Sequence, residues 1–434
     1  MAKQTSSKHP SKPTHPHKPS HPTPKPAPTP SSTGQPVFAQ PQPTPDPTSF
    51  KTPHPSDSGL YKKVDTKLLE PIPAPRGKAA EPVLTLAEVY GDQGAAKVSE
   101  LEQAGRIVFH SVGDTGSVKG PSTESEVADK IVSDFKESDP ADVPSFFFHL
   151  GDVVYSFGEA KYYYDQFYAP YREYAAPILA IPGNHDGLVY SGEGVATLDA
   201  FLRNFCSAAP VNTPEAGGLL RTSMIAPGVY FTFDSPFVRI LGLYSNVLED
   251  PGVISSEGGT RANVTDVQLT FLKTALARCK SEKYAGAVIV AVHHPPFSGG
   301  SVHFPSPNLS KDIDSCAQAA DFWPHAVFSG HSHNYQRFTR TVNGMQIPYL
   351  VAGNGGHSPL AAMQKDANGN IIRTPYPIDS ELTLENYDDA HYGYLRVVVN
   401  AQTLRIEYHS AADGSTAKAP NDLVTVNLAA RTVS

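Results

Sequence analysis

The first 45 residues contain no aspartate or glutamate, although they carry five lysines, four histidines and a proline every few positions. The chain has a formal net charge of −8. With +5 on this opening segment, −13 is left for the remainder (−8 minus +5), and an acidic body argues against nucleic acid as the main partner. Cysteine is scarce: Cys206, Cys279 and Cys316 are three in 434 residues, far apart and without CxxC spacing. That points to buried thiols more than to a disulfide framework or a zinc–thiolate site, with one disulfide plus one free thiol as the alternative. No run of about 18 apolar residues occurs, so no helical membrane span is expected. The first 35 residues lack any apolar run, so no signal peptide is visible and a cytoplasmic location is the default expectation. Neither a P-loop nor a Gly-x-Ser-x-Gly nucleophile motif is present.

What is present divides into three parts. Residues 1–60 are rich in Pro, Thr, Ser, Lys and His, with too little apolar surface to offset the entropy of ordering, and read as a disordered tail. Residues 61–105 form a transition with a helix expected inside 86–104. Residues 106–434 read as one folded domain, in which apolar strands alternate with helical stretches. Strands are expected at 106–112, 146–150, 177–181, 229–234, 238–244, 287–292, 326–329, 347–352, 393–399 and 403–408. Helices are expected near 123–137, 162–174, 197–206 and 265–281. Thr123 and Glu126 have the spacing of a capping box.

Five strand exits carry metal-type side chains. Asp114 follows the first strand, Asp152 the second and Asn184 the third; His293 follows the run 287–292, and His331 and His333 follow 326–329. Ligand sites of open α/β sheets gather at such ends, so exits of one parallel-type sheet bring these residues together. The two histidines of Gly330-His331-Ser332-His333, two residues apart on an extended segment, are expected to project to one side. Taken singly, each residue has an ordinary explanation as a turn, a cap or a structural histidine. Five at strand exits, all oxygen or imidazole donors, form one signal. Carboxylate, carboxamide and imidazole without thiolate suit harder first-row metals. Six or seven such donors exceed what one catalytic ion needs and suit two ions about 3.5–4 Å apart, a pair that clamps a phosphate and generates hydroxide at mild pH.

In this order the blocks resemble the calcineurin-like metallophosphoesterases, and within them the purple acid phosphatases. The motifs are Gly113-Asp114-Thr115-Gly116, Gly151-Asp152 with Tyr155 three residues on, Gly183-Asn184-His185, His293-His294-Pro295, and Gly330 to Arg337. The resemblance covers roughly residues 106–410. It implies an α/β fold of two packed mixed β-sheets flanked by helices. It implies that Asp114, Tyr155 and His333 bind a first ion, Fe(III), that Asp152 bridges, and that Asn184, His293 and His331 bind a second ion, Fe, Zn or Mn. His185 is implied beside the phosphate. His303, ten residues after His293, stands near the position of an acid histidine for the leaving alcohol; an ordinary loop histidine is the other reading. His294 is an alternative ligand to His293. The family's plant members carry a β-sandwich before the catalytic domain, where this chain has its Pro-rich segment, and its members are usually exported.

The implied activity is hydrolysis of small-molecule phosphate monoesters by in-line attack of a metal-bound hydroxide. A phosphodiesterase acting on a nucleotide or phospholipid head group is the alternative. A non-catalytic protein binding surfaces through its basic tail is a third, weakened by intact donors at every motif.

Overall fold

The computed structural model describes residues 34–40, 62–64, 72–77, 79–245, 250–261 and 263–434. In chain order the elements are β1 (Val83–Thr85), α1 (Leu86–Tyr90), α2 (Gly94–Ala104), β2 (Arg106–Val112), α3 (Ser122–Ser133), β3 (Phe147–His149), β4 (Ile178–Ala180), α4 (Asn184–Gly187) and α5 (Asp199–Phe205). Then follow β5 (Phe231–Ser235), β6 (Val238–Leu243), α6 (Val267–Ser281), β7 (Ala287–Val292), α7 (Pro307–Ala320), β8 (Ala326–Ser329), β9 (Tyr335–Val342) and β10 (Met345–Ala352). The chain closes with β11 (Tyr376–Pro377), β12 (Leu382–Asp388), β13 (Gly393–Asn400), β14 (Thr403–Ser410), β15 (Asp422–Asn427) and β16 (Thr432–Val433).

The strands form a nine-stranded sheet, β1-β5-β6-β7-β8-β10-β9-β12-β11, and a seven-stranded sheet, β16-β15-β14-β13-β2-β3-β4. Both are mixed: β6, β7, β8 and β10 run parallel in the first, and β2, β3 and β4 in the second. All six residues of β7, Ala-Val-Ile-Val-Ala-Val, are buried, as expected for a central parallel strand covered on both faces. The sheets meet through aromatic side chains: Phe148 on β3 faces Phe231 on β5 at 6.1 Å between ring centroids, and Phe146 faces Phe233 at 4.9 Å. Each buried side chain of this size contributes about 1.5–3 kcal/mol. Helices α6 and α7 pack on each other and α6 on β6, while α3 lies against β13. The three cysteines are free thiols, Cys279 and Cys316 buried and Cys206 partly so.

Most of the segment 1–60 lies outside the described residues, and the expectation of disorder there lies with it. Residues 34–40 run along the body. Gln40 N–H donates to the Arg172 carbonyl at 2.7 Å, Val37 N–H donates to Thr222 Oγ1 at 3.0 Å, and Phe38 packs edge-on against Tyr90.

Four local expectations are corrected. The strand exits belong to two sheets: β2, β3 and β4 exit from one, β7 and β8 from the other, and the site lies where the two rows of ends face each other. The Thr123–Glu126 box does not form, because α3 already begins at Ser122 and the Thr123 hydroxyl donates to the Gly356 carbonyl at 2.5 Å. A capping box closes instead on Thr85 and Glu88 at the start of α1, with Glu88 Oε2 accepting from Thr85 N–H at 2.7 Å. The stretch 162–174 is a short 3-10 turn followed by a π-helical turn, Tyr164–Tyr168, in place of an α-helix. His331 and His333 do not lie on an extended segment: the backbone is left-handed at His331, where φ is +65°, yet both rings reach the site, 4.4 and 4.7 Å from the His303 ring.

Candidate metal centre

Three of the expected ligands adopt left-handed backbone conformations, Asp114 (φ 57°), Asp152 (φ 55°) and His331 (φ 65°). Such a conformation costs an L residue about 1–2 kcal/mol and persists where surrounding contacts enforce it. Each of the three sits two or three residues past a strand, and the sharp turn aims its side chain into the gap between the sheets. Backbone amides then lock the carboxylates: His331 N–H donates to Asp114 Oδ2 at 2.7 Å, and His185 N–H to Asp152 Oδ1 at 2.9 Å. Gly183 is required by close approach, since a Cβ there would lie 2.1 Å from Asp152 Oδ1. Gly116 is similarly hemmed in by Gln166 Oε1 and the Val153 carbonyl, so no longer side chain fits at that position of the first motif.

All seven expected metal ligands converge. Around Asn184 Oδ1 stand His293 Nε2 at 3.0 Å and His331 Nδ1 at 3.1 Å, and His293 Nε2 lies 3.4 Å from Asp152 Oδ2. On the other side the Tyr155 hydroxyl lies 3.1 Å from Asp114 Oδ1, 2.9 Å from Asp152 Oδ2 and 3.3 Å from His333 Nε2. Asp152 is shared by the two groups. Asp114, Asp152, Asn184, His293, His331 and Tyr155 are almost completely shielded from solvent.

The donor arrangement fits metal ions. His293 Nδ1 donates to the Leu150 carbonyl at 2.9 Å, so in the neutral ring Nε2 presents a lone pair to the lone pairs of Asn184 and Asp152. Acceptors facing acceptors need a cation between them. Two donors bound at about 2.0–2.2 Å to one ion stand about 2.9–3.4 Å apart, the separations seen here. Electrostatics agrees. Burial lowers His293, but Asp152 and Asp114 overcome it and raise it to about 9, so the pocket demands a positive charge there. Burial pushes Asp114 well up, with the neighbouring Asp152 charge adding to the rise. Burial and crowding by other histidines hold His331 and His333 well below their usual range, in the neutral form that binds metal. Burial and the two carboxylates push the Tyr155 hydroxyl well up; a cation among them reverses that balance.

His293 and His294 are separated by their partners. The His294 Nδ1 contacts Ser245 Oγ at 2.8 Å, and its ring lies against His331 at 4.1 Å, outside the donor set. The open side of the centre is lined by imidazoles. His185 Nδ1 donates to the Ser156 carbonyl at 2.9 Å, with Nε2 turned towards Asp152 at 3.9 Å. His303, half-buried on its loop, places its ring 4.4 Å from His331 and 4.7 Å from His333.

Two neighbours were not singled out from the sequence. His357 lies 3.9 Å from the Tyr155 ring and 4.4 Å from His333, with Nδ1 on the Gly116 carbonyl at 3.1 Å. Its signal was present, one residue past the Gly353-Asn354-Gly355-Gly356 exit of β10. Asp250 lies 3.4 Å from His331 Nε2, and Asp250, His303 and His331 together form a second group able to hold an ion. Asn354 is structural: its amide donates to the His391 carbonyl and to Tyr408 Oη, both at 2.9 Å.

Comparison with known proteins follows the same lines. Residues 109–335 match the calcineurin-like phosphoesterase model, and residues 347–418 match the model of iron/zinc purple acid phosphatase-like protein C. No curated protein matches the chain. Among solved structures, purple acid phosphatase PPD1 from yellow lupin (Lupinus luteus) seeds is 19% identical, with a TM-score of 0.51 over 74% of this chain and 54% of that one. This chain therefore spans about half the length of the lupin enzyme. GAP50, the anchor in the inner membrane complex of Plasmodium, is 13% identical over 74% of this chain and 89% of its own, at a TM-score of 0.46. At these identities the structural likeness speaks for the fold alone. The family model, however, takes in more than half of the sequence and every motif from Asp114 to His333. The chain belongs to the calcineurin-like phosphoesterases, metal-dependent hydrolases, and carries a purple acid phosphatase-like C-terminal part.

Proposed function

We propose that the protein hydrolyses phosphate monoesters at a pair of metal ions, with Asp114, Tyr155 and His333 holding one, Asn184, His293 and His331 the other, and Asp152 between them. The observation that carries this reading is the shared Asp152 carboxylate, 2.9 Å from Tyr155 Oη and 3.4 Å from His293 Nε2, flanked by two separate donor groups. Tyr155 and the two carboxylates favour Fe(III) on the first side; the amide and imidazoles of the second suit divalent Fe, Zn or Mn. When bound, such a pair neutralises phosphate charge and acidifies a water.

The remaining roles belong to the chain's own side chains. His185, anchored through Nδ1, offers Nε2 to a phosphate oxygen as charge grows in the transition state. A water opposite the leaving group gives up a proton to solvent and forms the new O–P bond as the ester P–O bond breaks, and His303 gives its proton to the departing alcohol oxygen. Burial and the neighbouring His185 bring His303 down to about 4, while an incoming phosphate dianion works in the opposite direction. Acid conditions therefore favour the proton donor.

The test compares an aryl phosphate monoester with the matching diester on metal-loaded protein, with Asp152→Asn as control. The monoester is expected to be cleaved faster, and the control to lose at least about 100-fold in kcat/KM. Faster diester cleavage would move the substrate class to phosphodiesters and remove the role given to His303. No cleavage of either would overturn the catalytic reading.

A further inference from the structure

We infer that Asp250 is a positioning residue for His331, acting from the side of the ring turned away from the metal pair; the inference rests on the reading of that pair given above. His331 is almost fully buried, and its Nδ1 faces Asn184 Oδ1 at 3.1 Å, inside the donor set. A neutral imidazole has one proton. A lone pair at Nδ1 therefore requires the proton on Nε2, and that N–H requires an acceptor. Asp250 Oδ1 stands 3.4 Å from Nε2, at ion-pair distance and short of a formed hydrogen bond, so the carboxylate acts on the ring through its charge.

The other groups packed on this ring do not fill the role. His294 has Nδ1 on Ser245 Oγ at 2.8 Å, and His293 is engaged by Leu150 and Asn184. His303 packs on the ring at a tilt, 4.4 Å between centroids and 56° between planes, and carries no negative charge to set against Nε2–H. The chain solves the same problem at His293 with a backbone carbonyl, that of Leu150. At His331 it uses a carboxylate, which orients the ring and raises the basicity of the ligating nitrogen as well.

The segment bearing Asp250 is fixed against the site. Gly252 N–H donates to Ser306 Oγ at 2.8 Å, and Val253 N–H to the Ser245 carbonyl at 2.8 Å. A Cβ at residue 252 would lie 2.2 Å from His294 Cβ, so this turn sits directly on the neighbouring histidine. The carboxylate thus arrives from a loop held tightly against the centre. None of the five motifs contains it, because it supports a ligand without being one.

The test is direct metal titration of the full chain, stripped by chelation and reloaded with Zn2+, reading both dissociation constants and the bound-metal count. Asn184→Ala identifies the step that belongs to the second ion. Asp250→Asn is expected to weaken that step by about 10–100-fold and to leave the other within about twofold, with metal-free thermal stability unchanged. Asp250→Glu is expected to recover most of the loss. Equal affinities in Asp250→Asn and the unaltered protein would overturn the inference. So would a third bound Zn2+ that disappears in Asp250→Asn, since Asp250 would then be a ligand in its own right. Fewer than two ions on the unaltered protein would refute the metal-pair reading itself, a result distinct from either.

Discussion

Strand β2 feeds two buried polar clusters, and they are built on opposite plans. Its residue His110 contacts Asp134 at 2.9 Å; Asp134 also accepts from Tyr394 Oη at 2.9 Å and pairs with Lys418. Nearby, Glu407 meets Arg396, Arg405 and His409. Every charge there has an opposite charge supplied by the chain. Past the end of the same strand, Asp114 enters a cluster of two carboxylates, a carboxamide, a phenol and several imidazoles with no lysine or arginine among the donors. Burying a charge is tolerated where its counter-charge comes along. The first cluster is complete as a protein; the second is complete only with cations. Identical residue types, Asp, His and Tyr, are structural in one and chemical in the other.

The largest break in this comparison comes from stripping the metal. Chelation is expected to abolish phosphoesterase activity, and re-addition to restore it, with elemental analysis of the active protein giving two ions per chain. Stability follows by linkage: an ion present at about 100 times its Kd contributes about 2.7 kcal/mol, so the melting temperature should fall on chelation. The His110–Asp134 cluster should be untouched, and an unchanged melting temperature would mean that the donors are not paying for their burial with bound ions.

Asp134→Asn is the converse. It leaves the Lys418 and Arg396 charges without this partner, so a loss of about 3 kcal/mol in urea unfolding is expected, below the upper end for buried pairs because Lys418 is partly exposed. Metal affinity should not change. If stability held and metal affinity fell, the division between the two clusters would be wrong.

That division was only partly legible in the sequence. The donors at strand exits were readable because apolar runs of four to seven residues stop abruptly at Asp or His, after a glycine past β2 and β8 and directly at His293 past β7, a pattern set by local chain geometry. Which sheet each strand joins was not, since Phe147–His149 and Ala326–Ser329 are equally apolar and their partners are chosen by long-range pairing. Thr85/Glu88 and Thr123/Glu126 carry the same spacing, and the second box loses to a tertiary acceptor, Gly356. The direction of His331 depends on one left-handed residue that strand periodicity cannot anticipate. Asp250 and His357 are single residues in loops. Each acquires meaning only from what the fold sets beside it. His110 and Asp134 were silent for the same reason: a histidine inside a strand and an aspartate at a helix end become a pair only in three dimensions.

The smallest expected effect sharpens the comparison through pH. Burial raises Glu407, but His409, Arg405 and Arg396 outweigh it and bring the carboxyl to about 2. A carboxyl with a depressed folded value stabilises the fold above its ordinary value near 4.5, and that contribution is lost as pH falls towards 2. Glu407→Gln keeps the size and part of the hydrogen bonding while removing the charge opposite Arg396, whose guanidinium lies 3.2 Å away. The variant should therefore be less stable by on the order of 2 kcal/mol at pH 7. The gap should close between about pH 5 and pH 2, as the unaltered protein loses what the variant never had. The metal centre loses its contribution in the same direction, since protons compete with cations for its imidazoles and carboxylates, but only in the metal-loaded protein. Urea unfolding of both proteins, metal-free and metal-loaded, across that range separates the two contributions. A gap independent of pH would mean that Glu407 acts by packing, and that the charged cluster beside β2 is less self-sufficient than its distances indicate.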